Sequence, residues 1–466
     1  MNRIRITLAL IMICTVGQSQ STLTLQDCRK LAIENNKALK IASEQEQVAR
    51  YQKKEALMQY FPKLSFSGAY LHLHDKMHLI SKSSIPSSLQ IPDLTGMGLP
   101  IPGLEIPIEE PVRDQIYKMG EIDLRNVWTG GFSLTQPIFA GGKIVAYNDV
   151  ASYAKELAET MKETKMTDVI IEVDEVYWQV VSLVNKQQLA ESYVNLMKKM
   201  DSDIENMEKE GVATKADRLS VSVKLNEAEM TLTKANNGVS LSKMLLCEVC
   251  GLDMNENIKL ADEQIETVPV EENGTIIPDM NTIWADRTEI KSLELGTKIY
   301  RKKEAIVRAD MLPTVGLTLG YNWLNPNLED GVRHKFGGMF YGGVLVSVPL
   351  NFISGSAKVN AAKAETNIKR FELEEAKEKI KLQVTQSNYK LTEAYKQLKA
   401  AHKNTEKADE NLRYANVGFE EGVIAASDVM AAHTAWVAAH SELIDAQIDV
   451  KLGKVYLKRA LGRELH

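Results

Sequence analysis

Proline is missing from two long stretches of this 466-residue chain, 138–268 and 350–466, although 13 prolines occur elsewhere. A proline inside a helix costs about 3 kcal/mol, so both stretches are free to run as very long helices. Aromatic residues make up only 6% of the chain, which argues against one thick core. A basic excess is missing too: the net charge is −6, and nucleic-acid binding calls for clustered Lys and Arg. Beyond the first twenty residues there is no uncharged apolar run of about 18 residues, so a membrane could not be crossed by helices. Cysteine is sparse. Setting Cys14 aside, Cys28, Cys247 and Cys250 cannot all pair within one chain, which excludes a disulfide framework. "CEVC" (247–250) has CxxC spacing, but there is no second CxxC and no βαβ pattern around it. It reads as two small residues near a helix end, just before Gly251. Finally, no nucleophile–base arrangement, phosphate loop or metal motif stands out, so neither enzyme chemistry nor a cofactor is expected.

The composition that remains, 44% apolar and 25% charged, is that of a folded chain long enough for two or three domains. Residues 1–19 read as a secretory signal. Arg3 and Arg5 supply the positive end, "ITLALIMICTV" (6–16) the apolar run, and Gly17 and Ser19 small residues for cleavage. Cys14 follows "IMI" rather than the small residues that a lipidation site needs.

The proline-free stretches carry heptad seams. Val169, Val173, Val176, Val180 and Leu183 step by four and three, as do Ile380, Val384, Ser387, Leu391, Ala394, Leu398 and Ala401. Each stretch also contains one of two near-copies, "KEGVATKAD" (209–217) and "EEGVIAASD" (420–428). In each, a glycine able to stop a helix in the left-handed conformation, Gly211 or Gly422, precedes an aspartate able to cap the next helix, Asp217 or Asp428. The spacing predicts two helical hairpins, 143–250 turning at 209–217 and 357–461 turning at 418–428. At ~1.5 Å per residue the first outgoing arm reaches about 100 Å. Two further helical stretches, 24–60 and 281–310, have the length to stack end to end with the short return arms.

Four segments alternate with period two. "PTVGLTLGYNW" (313–323) sets Val315, Leu317, Leu319, Tyr321 and Trp323 against Thr314, Gly316, Thr318, Gly320 and Asn322. "VWTGGFSLTQP" (127–137) behaves likewise, and "LSFSGAYLHLH" (64–74) and "FYGGVLVSVP" (340–349) more weakly. Length, alternation and aromatic content suit membrane-spanning strands. The unit helix–strand–loop–strand–long helix–turn–helix thus occurs twice, over 20–252 and 281–466, with 253–280 as a linker. The strand-to-helix junctions fall at Pro137, Gly141 and Gly142 and again at Pro349 and Gly355. The first interstrand loop is longer by 83–111, which holds six prolines and reads as irregular. His72, His74 and His78 with Asp75 read as a polar strand end rather than a metal site, and the Ala-rich run 424–440 as small residues for close helix contact. Four strands cannot close a barrel, and open edges in lipid leave backbone groups unpaired, so copies have to share one.

The duplicated plan, "SLTQPIFAGGK" (133–143) at a strand-to-helix junction and the paired glycine–aspartate turns resemble the TolC family of outer-membrane efflux channels over essentially the whole mature chain. The resemblance implies a mainly α fold with a membrane β-barrel part: a homotrimer with a 12-stranded barrel in the outer membrane and an α-helical barrel across the periplasm. A belt would come from 252–280 and the C-terminal end. It implies an exit duct of a tripartite efflux or type I secretion system, working with a periplasmic adaptor and an inner-membrane pump. Asp428 and Asp217 match positions that ring the periplasmic aperture in the family. Ala431 stands where a second acidic residue is common and Ile424 where some members have a basic one, so a double ring and the usual polar latch are not matched. A soluble periplasmic coiled-coil scaffold or adaptor, with the alternating segments in an ordinary β domain, is the alternative.

Overall fold

The structure is a computed structural model that describes residues 22–92, 103–264, 269, 279–327, 334–350 and 352–463. The expected signal, 1–19, lies outside them, as do 265–268 and 270–278 of the expected linker. The chain forms two units. One comprises Met1–Lys53, Val150–Arg301 and Ala364–His466, the other Lys54–Asp149 and Lys302–Lys363.

The second unit is built on an antiparallel sheet of β2 (Lys63–His72), β7 (Asn126–Ala140), β9 (Thr314–Asn325) and β10 (Gly337–Ser347), in the order β10-β9-β7-β2. Its register gathers the apolar half of every alternation on one face. Phe66 lies opposite Phe132, Phe132 opposite Tyr321, and Tyr321 opposite Phe340. Leu64, Leu134 and Leu319 form the next row. The other face carries Ser65, Ser133, Thr135, Thr318 and several glycines. Trp323 lies across Gly130, where a Cβ would sit 2.8 Å from the indole, so only glycine leaves room for the ring. Nothing among the described residues covers the apolar face: Phe66 is 62% exposed, Leu64 71% and Phe340 84%.

The 15-residue β7 runs past Pro137 to Ala140. Pairing with β2 ends at Thr135, so the missing N–H of Pro137 leaves no gap on that side, and a bulge between Pro137 and Phe139 absorbs the kink. Between β2 and β7 the described residues form short ladders and a helix, where prolines suggest an irregular loop over 83–111; of that loop, 93–102 lie outside the described residues. β3 (Met77–His78) pairs with β6 (Glu121–Ile122), and β4 (Ser88–Ile91) pairs with β5 (Leu104–Pro107). A helix, α3 (Glu110–Met119), follows β5. Pro107 closes a strand and Pro111 enters the first turn of α3, where a missing N–H costs nothing. Prolines at element ends are compatible with order, and composition alone does not separate the two cases.

The first unit is helical. α4 (Lys143–Lys209) turns into α5 (Lys215–Cys250), and α8 (Phe352–Glu420) into α9 (Ala426–Ala460). The valine seam is buried: Val169, Val173 and Val180 are fully enclosed and pack with Tyr177, Leu246 and Cys250. Each such valine or leucine contributes about 1.5–3 kcal/mol by leaving water. Ile380, Val384, Leu391, Leu398 and Ala401 form the matching cluster on α8. A short parallel ladder joins β1 (Thr22–Leu23) to β8 (Lys259–Leu260).

The two further stretches expected to be helical, 24–60 and 281–310, are helical and each broken once. α1 (Leu25–Asn35) and α2 (Lys37–Met58) meet at Asn36; α6 (Met280–Asp286) and α7 (Thr288–Ala309) meet at Arg287. Both break residues have extended ψ and turn their side chains onto a helix end. The Asn36 amide donates to Val249 O at 2.9 Å. The Arg287 guanidinium donates to Arg459 O at 2.9 Å and Ala460 O at 3.1 Å. The breaks therefore satisfy carbonyls that the return arms α5 and α9 leave open at their C-termini. Gly251 and Gly462, both at φ 71°, end those arms.

Candidate functional site

The two turns that close the hairpins share one backbone design. At the first, Gly211 N–H donates to Glu208 O and Val212 N–H to Met207 O; at the second, Gly422 N–H donates to Phe419 O and Val423 N–H to Gly418 O. This is the Schellman pattern, with Gly211 at φ 74° and Gly422 at φ 73°. A third bond repeats as well, Ala213 N–H to Met207 O and Ile424 N–H to Gly418 O. Val212 and Val423 stand out from the turns, 71% and 81% exposed.

The aspartates after these glycines are not alike. The helix cap of α5 is Thr214, not Asp217 as expected. Thr214 Oγ1 accepts from Asp217 N–H at 3.2 Å, while Asp217 Oδ2 accepts from Thr214 N–H at 3.0 Å and from Thr214 Oγ1 at 2.6 Å. These bonds hold the Asp217 carboxyl below its usual range. In the second turn the cap position is Ala425, which has no side-chain acceptor, and Asp428 sits three residues on in the first turn of α9. Asp428 is exposed, and among the described residues no hydrogen bond or ion pair is formed by its carboxylate. One aspartate is committed to its own helix; the other is available.

Below the turns the two hairpins pack together. Met197, Met200 and Ile204 of α4, Val221 of α5, Leu412 of α8 and Val429 of α9 belong to one buried cluster. A cavity of about 640 Å³ opens beside it, lined by Lys199, Asp203, Phe419, Glu421 and His433 among others. His433 is 3% exposed, its Nδ1 has no partner, and burial lowers its pKa.

The junction residues lie in the other unit. Gly141 and Gly142, at φ 60° and 81°, carry the chain from β7 into α4. A Cβ on Gly141 would meet Leu312 at 2.8 Å. Pro349 follows β10, but Gly355 lies inside α8 rather than before it, packed on Met311. His72 meets Asn126, and His78 stacks on Tyr117 at 4.2 Å. Among the described residues no group of His, Cys, Asp or Glu is placed to hold a metal ion, and no helix is long and apolar enough to cross a membrane.

Residues 281–463 match the family described as outer membrane efflux protein. That match covers most of the second repeat and none of the first. Solved structures extend the likeness to the first repeat. The Campylobacter jejuni CmeC outer membrane channel superposes with a TM-score of 0.75 at 15% identity, over 94% of this chain and 85% of its own. The outer membrane protein VceC of Vibrio cholerae gives 0.70 at 13% identity, over 95% and 97%. The open state of the Neisseria gonorrhoeae MtrE outer membrane channel gives 0.68 at 16%, over 94% and 89%. At these identities the likeness is one of fold: the chain folds as outer-membrane channels do. No curated protein sequence matches it.

Three polar features of the fold are not marked by the sequence pattern. Arg29 grips Asp174 with Nε–Oδ1 2.7 Å and Nη2–Oδ2 2.5 Å; the carboxylate is wholly buried, and burial raises its pKa despite the guanidinium. Tyr177 donates to Asp262 at 2.6 Å from inside the seam. Arg287 bonds Glu289 while capping α9. One signal was available: Asp174 interrupts an otherwise valine-rich face, where an acid needs a partner.

Proposed function

We propose that this chain is one protomer of a homotrimeric exit channel in the outer membrane, a passive duct for a tripartite efflux or type I secretion system. One observation carries the reading: a four-stranded sheet with one continuous aliphatic and aromatic face left bare, opposite a mixed face on which Ser65, Ser133, Thr135, Thr318 and glycines stand with Leu71, Met339, Tyr341 and Leu345. Water penalises such a face and lipid does not. β2 and β10 end the sheet, and free edges are not tolerated in hydrocarbon, so barrel closure requires other copies. Three copies give an even-numbered barrel. The bare apolar face also speaks against the soluble scaffold.

On this reading the hairpin turns form the periplasmic aperture, Asp428 presents a carboxylate ring there, and an adaptor and an inner-membrane pump widen the tip by shifting the α8–α9 hairpins outward. The energy comes from the pump. Carbonate extraction of membranes followed by crosslinking in detergent tests the proposal. The expected result is protein that stays in the pellet, needs detergent, and crosslinks to a trimer. A carbonate-soluble monomer would overturn it.

A further inference from the structure

The three cysteines that follow the expected signal stand apart from everything above, and they are gathered in one place. Cys28 on α1 and Cys247 and Cys250 on the last turn of α5 are each fully buried, in the same cluster, and carry free thiols. Cys250 Sγ lies 3.6 Å from the Cys28 carbonyl oxygen. Cys247 Sγ points elsewhere, toward Glu256 O at 3.9 Å. We propose that Cys28 and Cys250 are joined by a disulfide in the exported protein, leaving Cys247 as a single thiol. The proposal rests on the envelope location read above, because such bonds persist in oxidising compartments.

Geometry selects the pair. Cys247 and Cys250 are three apart on one helix, which holds their Cβ atoms about 5–6 Å apart, whereas a disulfide needs roughly 3.5–4.5 Å. Closing that gap would distort the end of α5. Cys28 and Cys250 come from different helices, so no shared helix holds them apart, and Cys250 Sγ already reaches the Cys28 backbone at 3.6 Å within one buried cluster. Metal ligation is not the alternative, since the three sulfurs are not among groups placed to hold an ion.

The chemistry balances by exchange with a disulfide oxidant of the envelope. The Cys250 thiolate attacks the oxidant's S–S bond, giving a mixed disulfide and one oxidant thiol. The Cys28 thiolate then attacks the Cys250 sulfur and expels the second oxidant thiol. Two electrons pass to the oxidant, and the two cysteine protons end on its thiols or in solvent. The exchange belongs to folding, before the cluster closes. In the folded chain the Cys28 thiol beside it, together with burial, pushes the Cys250 thiol far above its ordinary value, and complete burial keeps reductants out. The bond would fix the start of α1 to the end of α5.

Peptide mapping of washed membranes, denatured in N-ethylmaleimide, reads the outcome directly. Before reduction only Cys247 should carry the label; after reduction all three should. The Cys247→Ser variant should show no label until reduced. Label on Cys28 or Cys250 before reduction, or a bridge that includes Cys247, overturns the pairing. A second arm does not depend on compartment: purified full-length protein is reduced, denatured and refolded in detergent with a glutathione redox buffer. The same pair should form there, and three free thiols would refute the geometry. Chain found only in the soluble cytoplasmic fraction would instead sink the envelope location, and the refolding arm would still decide the pairing.

Discussion

At the scale of single residues, two aspartates in matching nine-residue segments have been given different work by one neighbour. Thr214 draws Asp217 into a reciprocal cap; Ala425 leaves Asp428 free. Swapping the neighbours should swap the behaviour. Thr214→Ala should cost about 1 kcal/mol locally, and Ala425→Thr should add about as much by building the missing cap. Amide exchange over the first turns of α5 and α9 would read this as roughly fivefold faster and fivefold slower opening respectively. Unchanged exchange in Ala425→Thr would mean that Asp428 is held by something other than its own helix. His433 makes a second residue-scale case. Burial lowers its folded-state pKa below the ordinary 6.5, so the packed tip accommodates the neutral ring. An opened chain takes up the proton first, so this part of the tip's stability is fully present above about pH 6.5 and is lost as pH falls through the lowered value. Protection of the amides around Val429 and Ala432, corrected for intrinsic exchange, should fall several-fold between about pH 7.5 and about pH 5.5 in the native protein. In His433→Leu it should hardly change. Equal losses in both would assign the effect to other groups.

At the scale of elements, the hairpin turns depend on left-handed glycines with open space around them. No atom lies within 4 Å of a Cβ at Gly211 or Gly422, so substitution there is a test of backbone conformation alone. Gly422→Ala should weaken the turn by about 1 kcal/mol, and Gly422→Asn by less, since asparagine tolerates this region. The amides of Val423 and Ile424, both bonded to Gly418 O at 2.8 and 3.0 Å, would report the difference. Equal effects of Ala and Asn would show that conformation is not what the glycine supplies. These turns were legible in the sequence because each rests on one residue type at one position. The seams of α4 and α8 were legible because Val169, Val173 and Val180, or Ile380, Val384 and Leu398, each face a buried neighbour every turn. The alternating strands were legible because one face of the sheet has to be apolar throughout. The cap at Thr214 was not: serine, threonine and aspartate all suit such a position, and the choice depends on where the last residue of the turn falls. The breaks at Asn36 and Arg287 were not, because the bonds that reward them reach residues 249 and 459–460, far along the chain. The ladder of β4 and β5 was hidden because prolines such as Pro107 and Pro111 sit at element ends rather than within them.

At the scale of the whole molecule, an unsatisfied surface calls for an assembly. On the proposed reading, a chain with a bare apolar sheet face and two open sheet edges is completed by other copies, and the same logic multiplies whatever each copy presents at its turns. In a threefold assembly Asp428 would become three carboxylates around one axis, with no partner among the described residues of each chain to neutralise them. Like charges held close in a narrow passage favour cations and repel anions. Asp217, committed to Thr214, would contribute to that field as a capped and less available group. The prediction is an asymmetry: in planar bilayers Asp428→Ala should lose a large part of the channel's preference for cations, while Asp217→Ala should change selectivity less and mainly loosen the first turn of α5. Reversal potentials in a salt gradient measure the first effect and amide exchange the second. If Asp428→Ala left the reversal potential where it was, the carboxylate ring would not be the selective element, even in a protein that still assembled and conducted.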